Sequence, residues 1–436
     1  MLKNIFYLTM FMAVALLLLA GLMVPRALAS PSAVTFTVDT IADQLDDDTS
    51  DGVCHTSVNT CSLRAAIMQA NVIPGPGVTI ILPSGTYTLT RPPAGADGAD
   101  SGDLNLTPPA SGNPVISIVG AGAASTIIDA NKIDRVLSVG LSRTATISGV
   151  TIRNGFRQGT QGGGVSNSGI LTITDCVIEG NQTDSAGGGI YNLGTLNITR
   201  STIRANVAFL GGGLYLRGNT TIRDSSFYGN AADFGGGIEV SAFSADPHLY
   251  IVNSTISQNY ANTNGGGIDS EGSTFLYNTS VINNDADHDR DENGGIGGGV
   301  YVNTGSRFVV VNSLIAANTI LNAPIDDDCN GTLEGYGMNR FGVITGCNNP
   351  SGTWGFVTLT TIGPLQNNGG PTWTHALQAN SQAVDTTLDS LGCVDETGAL
   401  LTTDQRGAPR PVGARCDVGA FEYSPPRYLY LPLIIR

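Results

Sequence analysis

A two-part phrase that recurs between Thr146 and Asn318 limits what this chain can fold into more than anything else in it. Its first part is a glycine triplet followed by an apolar residue, clearest in Gly187-Gly188-Gly189-Ile190, Gly211-Gly212-Gly213-Leu214 and Gly235-Gly236-Gly237-Ile238. Less regularly spaced copies begin at Gly162, Gly265 and Gly297. The second part sets an apolar residue three places before an asparagine: Ile178 and Asn181, Ile203 and Asn206, Phe227 and Asn230, Ile256 and Asn259, Val281 and Asn284, Ile315 and Asn318. The period is about 24 residues, longer where loops intrude, and repetition on that scale marks a solenoid. Within each repeat the apolar residues alternate with period two, as in Leu171-Thr-Ile173-Thr and Leu196-Asn-Ile198-Thr, which is a strand pattern. No helical stripe competes with it. A coil of this length holds three short strands, and successive coils stack as parallel strands roughly 4.8 Å apart. One coil cannot bury its own apolar residues, so the array must be long and capped. Glycine triplets fit where the chain turns through positive φ close to the coil below. The asparagines tolerate left-handed backbone and bond their own turn, so one per coil can stack into a ladder.

Composition agrees with a thin, repetitive β core. Hydrophobic residues make up 41 % of the chain, aromatics only 6 %, and there are 57 glycines. The net charge of −15 argues against partners recruited by positive charge, so neither nucleic acid nor an anionic membrane surface is expected.

The chain divides at composition shifts. Residues 1–29 read as a signal peptide, with Lys3 before an apolar run from Ile5 to Val24 and Ala27-Leu-Ala29 as the cleavage site. An uncleaved anchor is the alternative, since the run approaches the ~20 residues of a membrane span. No other stretch could cross a bilayer. Residues 30–75 form an N-terminal cap, 76–323 the coils, 324–423 a C-terminal region and 424–436 a short tail. In the cap, Ser62 can N-cap a helix whose face of Leu63, Ala66, Ile67 and Ala70 covers the first coil, with Asn71 ending it. Charge at Arg64 should then matter little. The Pro- and Gly-rich insert from Arg91 to Gly112 reads as an exposed loop. Seven cysteines in an extracytoplasmic chain suggest three bridges, locally Cys54–Cys61, Cys329–Cys347 and Cys393–Cys416. Cys176, left over inside a repeat, reads as a small stacked side chain in line with Ser201, Ser225 and Ser254.

The repeats resemble those of the right-handed parallel β-helix superfamily that includes pectate lyases. More narrowly they are similar to chlamydial polymorphic outer-membrane protein repeats, whose Phe-x-x-Asn motif Phe227-Tyr-Gly-Asn230 matches. Cys61-Ser-Leu-Arg-Ala-Ala66 resembles the Cys-Ser-Leu-Arg-Glu-Ala motif of secreted bacterial β-helix proteins, with Ala65 in place of the usual glutamate. Gly363-Pro-Leu-Gln, His375-Ala-Leu, Asp404-Gln-Arg-Gly407 and Cys416-Asp-Val-Gly-Ala-Phe-Glu422 together resemble the choice-of-anchor Q domain of bacterial surface proteins. These resemblances imply an all-β, pectate-lyase-like helix with a short capping helix and a disulfide-containing C-terminal capping region. They also imply a secreted or cell-surface location.

Candidate chemistry is sparse. Aligned on the asparagines, Asp175, Arg200, Asp224, Asn253, Asn278 and Asn312 fall in one row. Asp175 and Asp224 would lie two coils apart, roughly 9.6 Å between backbones, near the carboxyl separation of an inverting glycosidase. The simpler reading is a solvated ladder in which Arg200 neutralises both neighbours. Two positions before the asparagines, Arg153, Glu179 and Arg204 should stack on an outer face. For a cation, the candidate ligands are Asp285, Asp287, Asp289, Asp291 and Asn293, because alternating acidic residues suit calcium. The last three fit the opening of an EF-hand loop, but its twelfth position is Val300 rather than glutamate. A solvated loop is the alternative. The four histidines share no metal spacing. The sequence thus reads as a binding, adhesion or structural protein, with an extracellular glycan or another cell surface as partner. A polysaccharide lyase or glycoside hydrolase is the alternative.

Overall fold

The computed structural model describes residues 33–425, apart from 76, 95–97, 243–245, 290–293, 321–324 and 389–391. The expected signal peptide lies outside them. Among the described residues no helix is long and apolar enough to cross a membrane.

The coil containing Gly187 shows how the repeat builds the fold. Gly187 turns the chain at φ +75°, and strand Ile190–Asn192 follows. Strand Thr195–Thr199 comes next, then a left-handed kink at Arg200 (φ 46°), then strand Thr202–Arg204. Each strand pairs in parallel with its equivalents one coil up and one coil down. The outcome is a parallel β-helix whose main sheet joins 29 strands among the described residues. It starts at Val34–Thr37, which pairs with Gly77–Leu82 and through it Val115–Gly120. Ile178, Ile203, Phe227, Ile256, Val281 and Ile315 stand in unbroken register, and all are fully buried.

Both halves of the repeat phrase have a steric or hydrogen-bonding cause. A Cβ on Gly188 would sit 2.5 Å from the Gly212 carbonyl oxygen, and one on Gly189 2.6 Å from that of Gly213. No side chain fits there, so each coil repeats the glycines. The asparagines do form a ladder: Asn181 Nδ2 donates to Asn206 Oδ1 at 3.0 Å, and the series passes through Asn230, Asn259, Asn284 and Asn318. Asp328 accepts the last bond, at 2.9 Å. The expected left-handed backbone falls one residue earlier, however, at Ala205, Gln258, Asn283 and Ala317. The asparagine side chains turn inward, where each satisfies backbone groups of adjacent coils. Cys176 sits, nearly fully buried, at the end of the Ser201–Ser225–Ser254 row, and its amide donates to Ser201 Oγ. Burial pushes its thiol up to about 12, so it is not a thiolate at neutral pH.

Helix Leu63–Val72 lids the first coil, with the Ala65 amide donating to Ser62 Oγ at 3.0 Å. Leu63, Ala66, Ile67 and Ala70 are buried as expected. Two expectations fail here for one reason. Arg64 is 1 % exposed, because its guanidinium is held by Asp43 and by the carbonyls of Ala99, Gly102 and Asp103. Those carbonyls belong to the Arg91 to Gly112 insert, expected to be an exposed loop. The insert instead contributes strand Leu104–Leu106, buried and paired with Leu137–Val139. At the other helix end, buried Arg143 donates to the Ala70 carbonyl, where a cation offsets the exposed helix dipole.

The array also runs past residue 323. Cys329–Phe341 and Cys347–Phe356 add two further parallel strands, bridged by Cys329–Cys347. The other bridges are Cys54–Cys61 and Cys393–Cys416. From Val357 the chain leaves the stack and lies along its flank. Val357, Leu377, Val418 and Phe421 pack there on Ile282 and Leu314, and Trp373 stacks on Tyr228 with centroids 5.3 Å apart. Polar bonds fix the same strap to successive coils. Arg410 reaches Asn253, Gln405 bonds Thr255, Val394 bonds Asn278, and the Ala420 amide donates to Ser280. His375 Nδ1 donates to the Gly363 carbonyl, so Nε2 accepts from Ser257. Burial lowers its pKa to about 4, which keeps it neutral.

Candidate functional site

The row running from Asp175 to Asn312 exists, and all six residues hold left-handed φ between 46° and 53°. It is the kink between two strands of every coil, which places its side chains outside the core. Arg200 clamps Asp175 through two bonds of 2.7 and 2.8 Å. Asp224 instead accepts from Asn253 at 2.6 Å, and burial under the C-terminal strap raises its pKa. The two carboxylates are thus held by different hydrogen-bond partners, although the Arg200 charge also acts on Asp224. The Arg153–Glu179–Arg204 register is as expected. Its ion pairs are Glu179 with Arg204, and Arg153 with Asp129 of the preceding coil.

The described acidic residues of the expected calcium loop, Asp285, Asp287 and Asp289, lie in different surroundings. Asp285 accepts from the Thr319 hydroxyl, and burial raises its pKa. Asp287 is 1 % exposed, with one carboxyl oxygen lacking a hydrogen-bond partner, while Asp289 is exposed. Asp291 and Asn293 lie outside the described residues. Among those described, no three His, Cys, Asp or Glu side chains converge as a metal site would require.

Two arrangements that the asparagine alignment hides stand out. The first is a buried acid pair. Glu239 and Asp269 are direct partners on adjacent coils, 5 % and 3 % exposed, between Tyr215 below and Tyr301 above. Asn303 Nδ2 donates to Asp269 at 3.1 Å, whereas Glu239 Oε2 has no partner. Burial, Asp269 and Glu271 hold the Glu239 carboxyl well above its usual range. Burial and Glu271 raise Asp269 to about 7. Like charges this close in low dielectric do not both ionise, so the pair retains a proton at neutral pH. Alignment on the glycine triplets would have shown it, since Tyr191, Tyr215, Glu239, Asp269 and Tyr301 each follow the triplet's apolar residue.

The second is a notch in the outer face of the main sheet. One coil there carries Phe275 and Tyr277, the next only Val309 and Val311, and the one beyond Glu334 and Tyr336, in direct register. The valines are shorter than their neighbours, and a cavity of about 270 Å³ opens over them. Residues 394–398 of the C-terminal strap close one side. Arg307 lies 5.4 Å over the Phe275 ring and pairs with Glu334 at 3.1 Å. Arg223 pairs with Asp395 and Glu396. Glu396 Oε2 is buried beside the cavity with no hydrogen-bond partner. No sequence signal points here, because chain segments about a hundred residues apart meet only in the fold. A second cavity, of about 360 Å³, lies inside the C-terminal region beside the Cys393–Cys416 bridge.

No known protein-family profile matches the sequence, and no curated protein does either. Among solved structures the chain is similar to the pectate lyase Pel9A, at 14 % identity and a TM-score of 0.50. The match covers 90 % of this chain and 96 % of that one. The chain is thus a pectate-lyase-like parallel β-helix. Identity that low establishes fold and leaves activity open. The disulfides fit an extracellular protein.

Proposed function

We propose that this is a secreted or cell-surface β-helix protein that binds an extracellular glycan, its own or that of another cell surface, without cleaving it. The observation that carries the reading is a contrast between two sets of side chains. The notch over Val309 and Val311 is walled by aromatic residues and rimmed by polar ones. The carboxylates that could act as an acid–base pair are instead occupied or enclosed. Arg200 clamps Asp175, Asn253 holds Asp224, and Glu239 with Asp269 is shut away from solvent. A glycosidase needs both carboxyls against the sugar, one on each face of the scissile bond.

The signal-like residues 1–29, the Cys61 segment and the choice-of-anchor Q-like C-terminal pattern all support display outside the cell. Calcium enters the same reading as a ligand of the 285–293 loop. Its donors would be the side-chain oxygens of Asp285, Asp287, Asp289, Asp291 and Asn293. The test is to incubate the purified protein with a panel of acidic and neutral polysaccharides. Binding without product supports the reading. Release of unsaturated or reducing ends overturns it in favour of a lyase or hydrolase.

A further inference from the structure

Resting on that reading, we infer that the notch takes a neutral, hydroxyl-rich pyranose unit rather than an acidic one. Its shape follows from register. Tyr277 and Tyr336 flank Val311 one coil to either side, so the strands carrying them lie roughly 9.6 Å apart. An apolar floor lies between two tyrosines, and a sugar ring presents C–H groups to such surfaces. The cavity's 270 Å³ falls just below the usual range for drug-sized ligands, which suits a small unit of a longer chain that continues along the exposed sheet.

Charge decides the class. The lining and its partners hold three carboxylates, Glu334, Asp395 and Glu396, against two guanidiniums, Arg223 and Arg307. Both arginines are already paired with these acids, which outnumber them and leave the rim net negative. Beside the cavity lies an unpartnered acceptor, Glu396 Oε2, covered from solvent in the free protein. A sugar hydroxyl can donate to it once the side chain turns that oxygen toward the cavity, while a second carboxylate would be repelled and would desolvate without compensation. The ligand is therefore distinguished from polyuronate by the sign of the rim, and the pectate-lyase-like fold gives no contrary instruction.

Isothermal titration of the purified protein with neutral oligosaccharides of glucose, mannose and galactose, and separately with oligogalacturonate, tests this. The expected result is binding to at least one neutral series and at least tenfold weaker binding to oligogalacturonate. Tyr336→Ala should weaken the neutral interaction at least tenfold. Tyr336 is 48 % exposed, so its removal leaves the core intact, and an unchanged melting curve will verify that. In a second variant, Glu396→Gln, the preference over oligogalacturonate should narrow. Equal or tighter binding of oligogalacturonate by the wild type overturns the assignment of class while leaving glycan binding standing. Neutral binding indifferent to Tyr336→Ala overturns the notch as its place. No binding in any series overturns both this inference and the reading beneath it.

Discussion

Replacing Asp269 with asparagine should change how the stability of this β-helix depends on pH. In the unfolded chain the carboxyl titrates near 3.8, and in the folded one near 7. Below 3.8 both states carry the proton and nothing is lost. As pH rises through the window, the unfolded chain releases its proton first, so folding is progressively disfavoured until the loss is complete above about 7. At 1.36 kcal/mol per unit the gap amounts to about 4 kcal/mol. A carboxamide in place of the carboxyl has no proton to lose and keeps the oxygen that accepts from Asn303. The substitution also removes a charge that raises Glu239. Urea denaturation of wild type and Asp269→Asn at pH 4, 6 and 8 reads the effect. The stability difference should move in favour of the variant as pH rises, by up to about 4 kcal/mol. A difference that stays constant across the range would mean that the two carboxyls do not share a buried proton, and the reasoning fails.

Other outcomes follow from the same physical terms. Arg64→Ala should cost about 3–5 kcal/mol by leaving Asp43 buried without its partner, and a thermal melt within a degree of wild type refutes it. Asn230→Ala leaves donors and acceptors on two coils unmatched at about 1–3 kcal/mol each, whereas Glu179→Ala should cost under ~1 kcal/mol. Chemical denaturation that ranks them the other way would show that the ladder is not what holds the coils. Millimolar Ca²⁺ should raise the melting temperature of the intact protein, and Asp289→Ala combined with Asp291→Ala should abolish the rise. A melt unmoved by calcium or chelator removes the ion from the account.

The repeat was legible because its causes are local and recur in each coil. Positive φ and a carbonyl 2.5 Å from any added Cβ demand the same glycine each time, and strand alternation demands the same apolar positions. The inward turn of the asparagines was less legible, since side-chain direction depends on which residue takes the left-handed conformation. Arg64 looked peripheral for a similar reason. Helical spacing put it off the apolar face, and only the insert folding over it supplies three carbonyls. The acid pair was hidden by the choice of alignment. The notch depends on the absence of bulk at two valines, and on a strap whose path no periodicity reveals.

That strap has a mechanical consequence. A solenoid pulled from its end ordinarily peels, each coil detaching under the load of a few bonds before the next is engaged. Here the segment after Val357 runs back beside the coils holding Asp224, Asn253, Asn278 and Asn312, joined to each by Thr372, Arg410, Val394 and Gly392 in turn. Tension applied near Tyr423 is therefore divided among several coils at once, loading those contacts in shear. The final coils, which a terminal pull would otherwise strip first, are relieved of it.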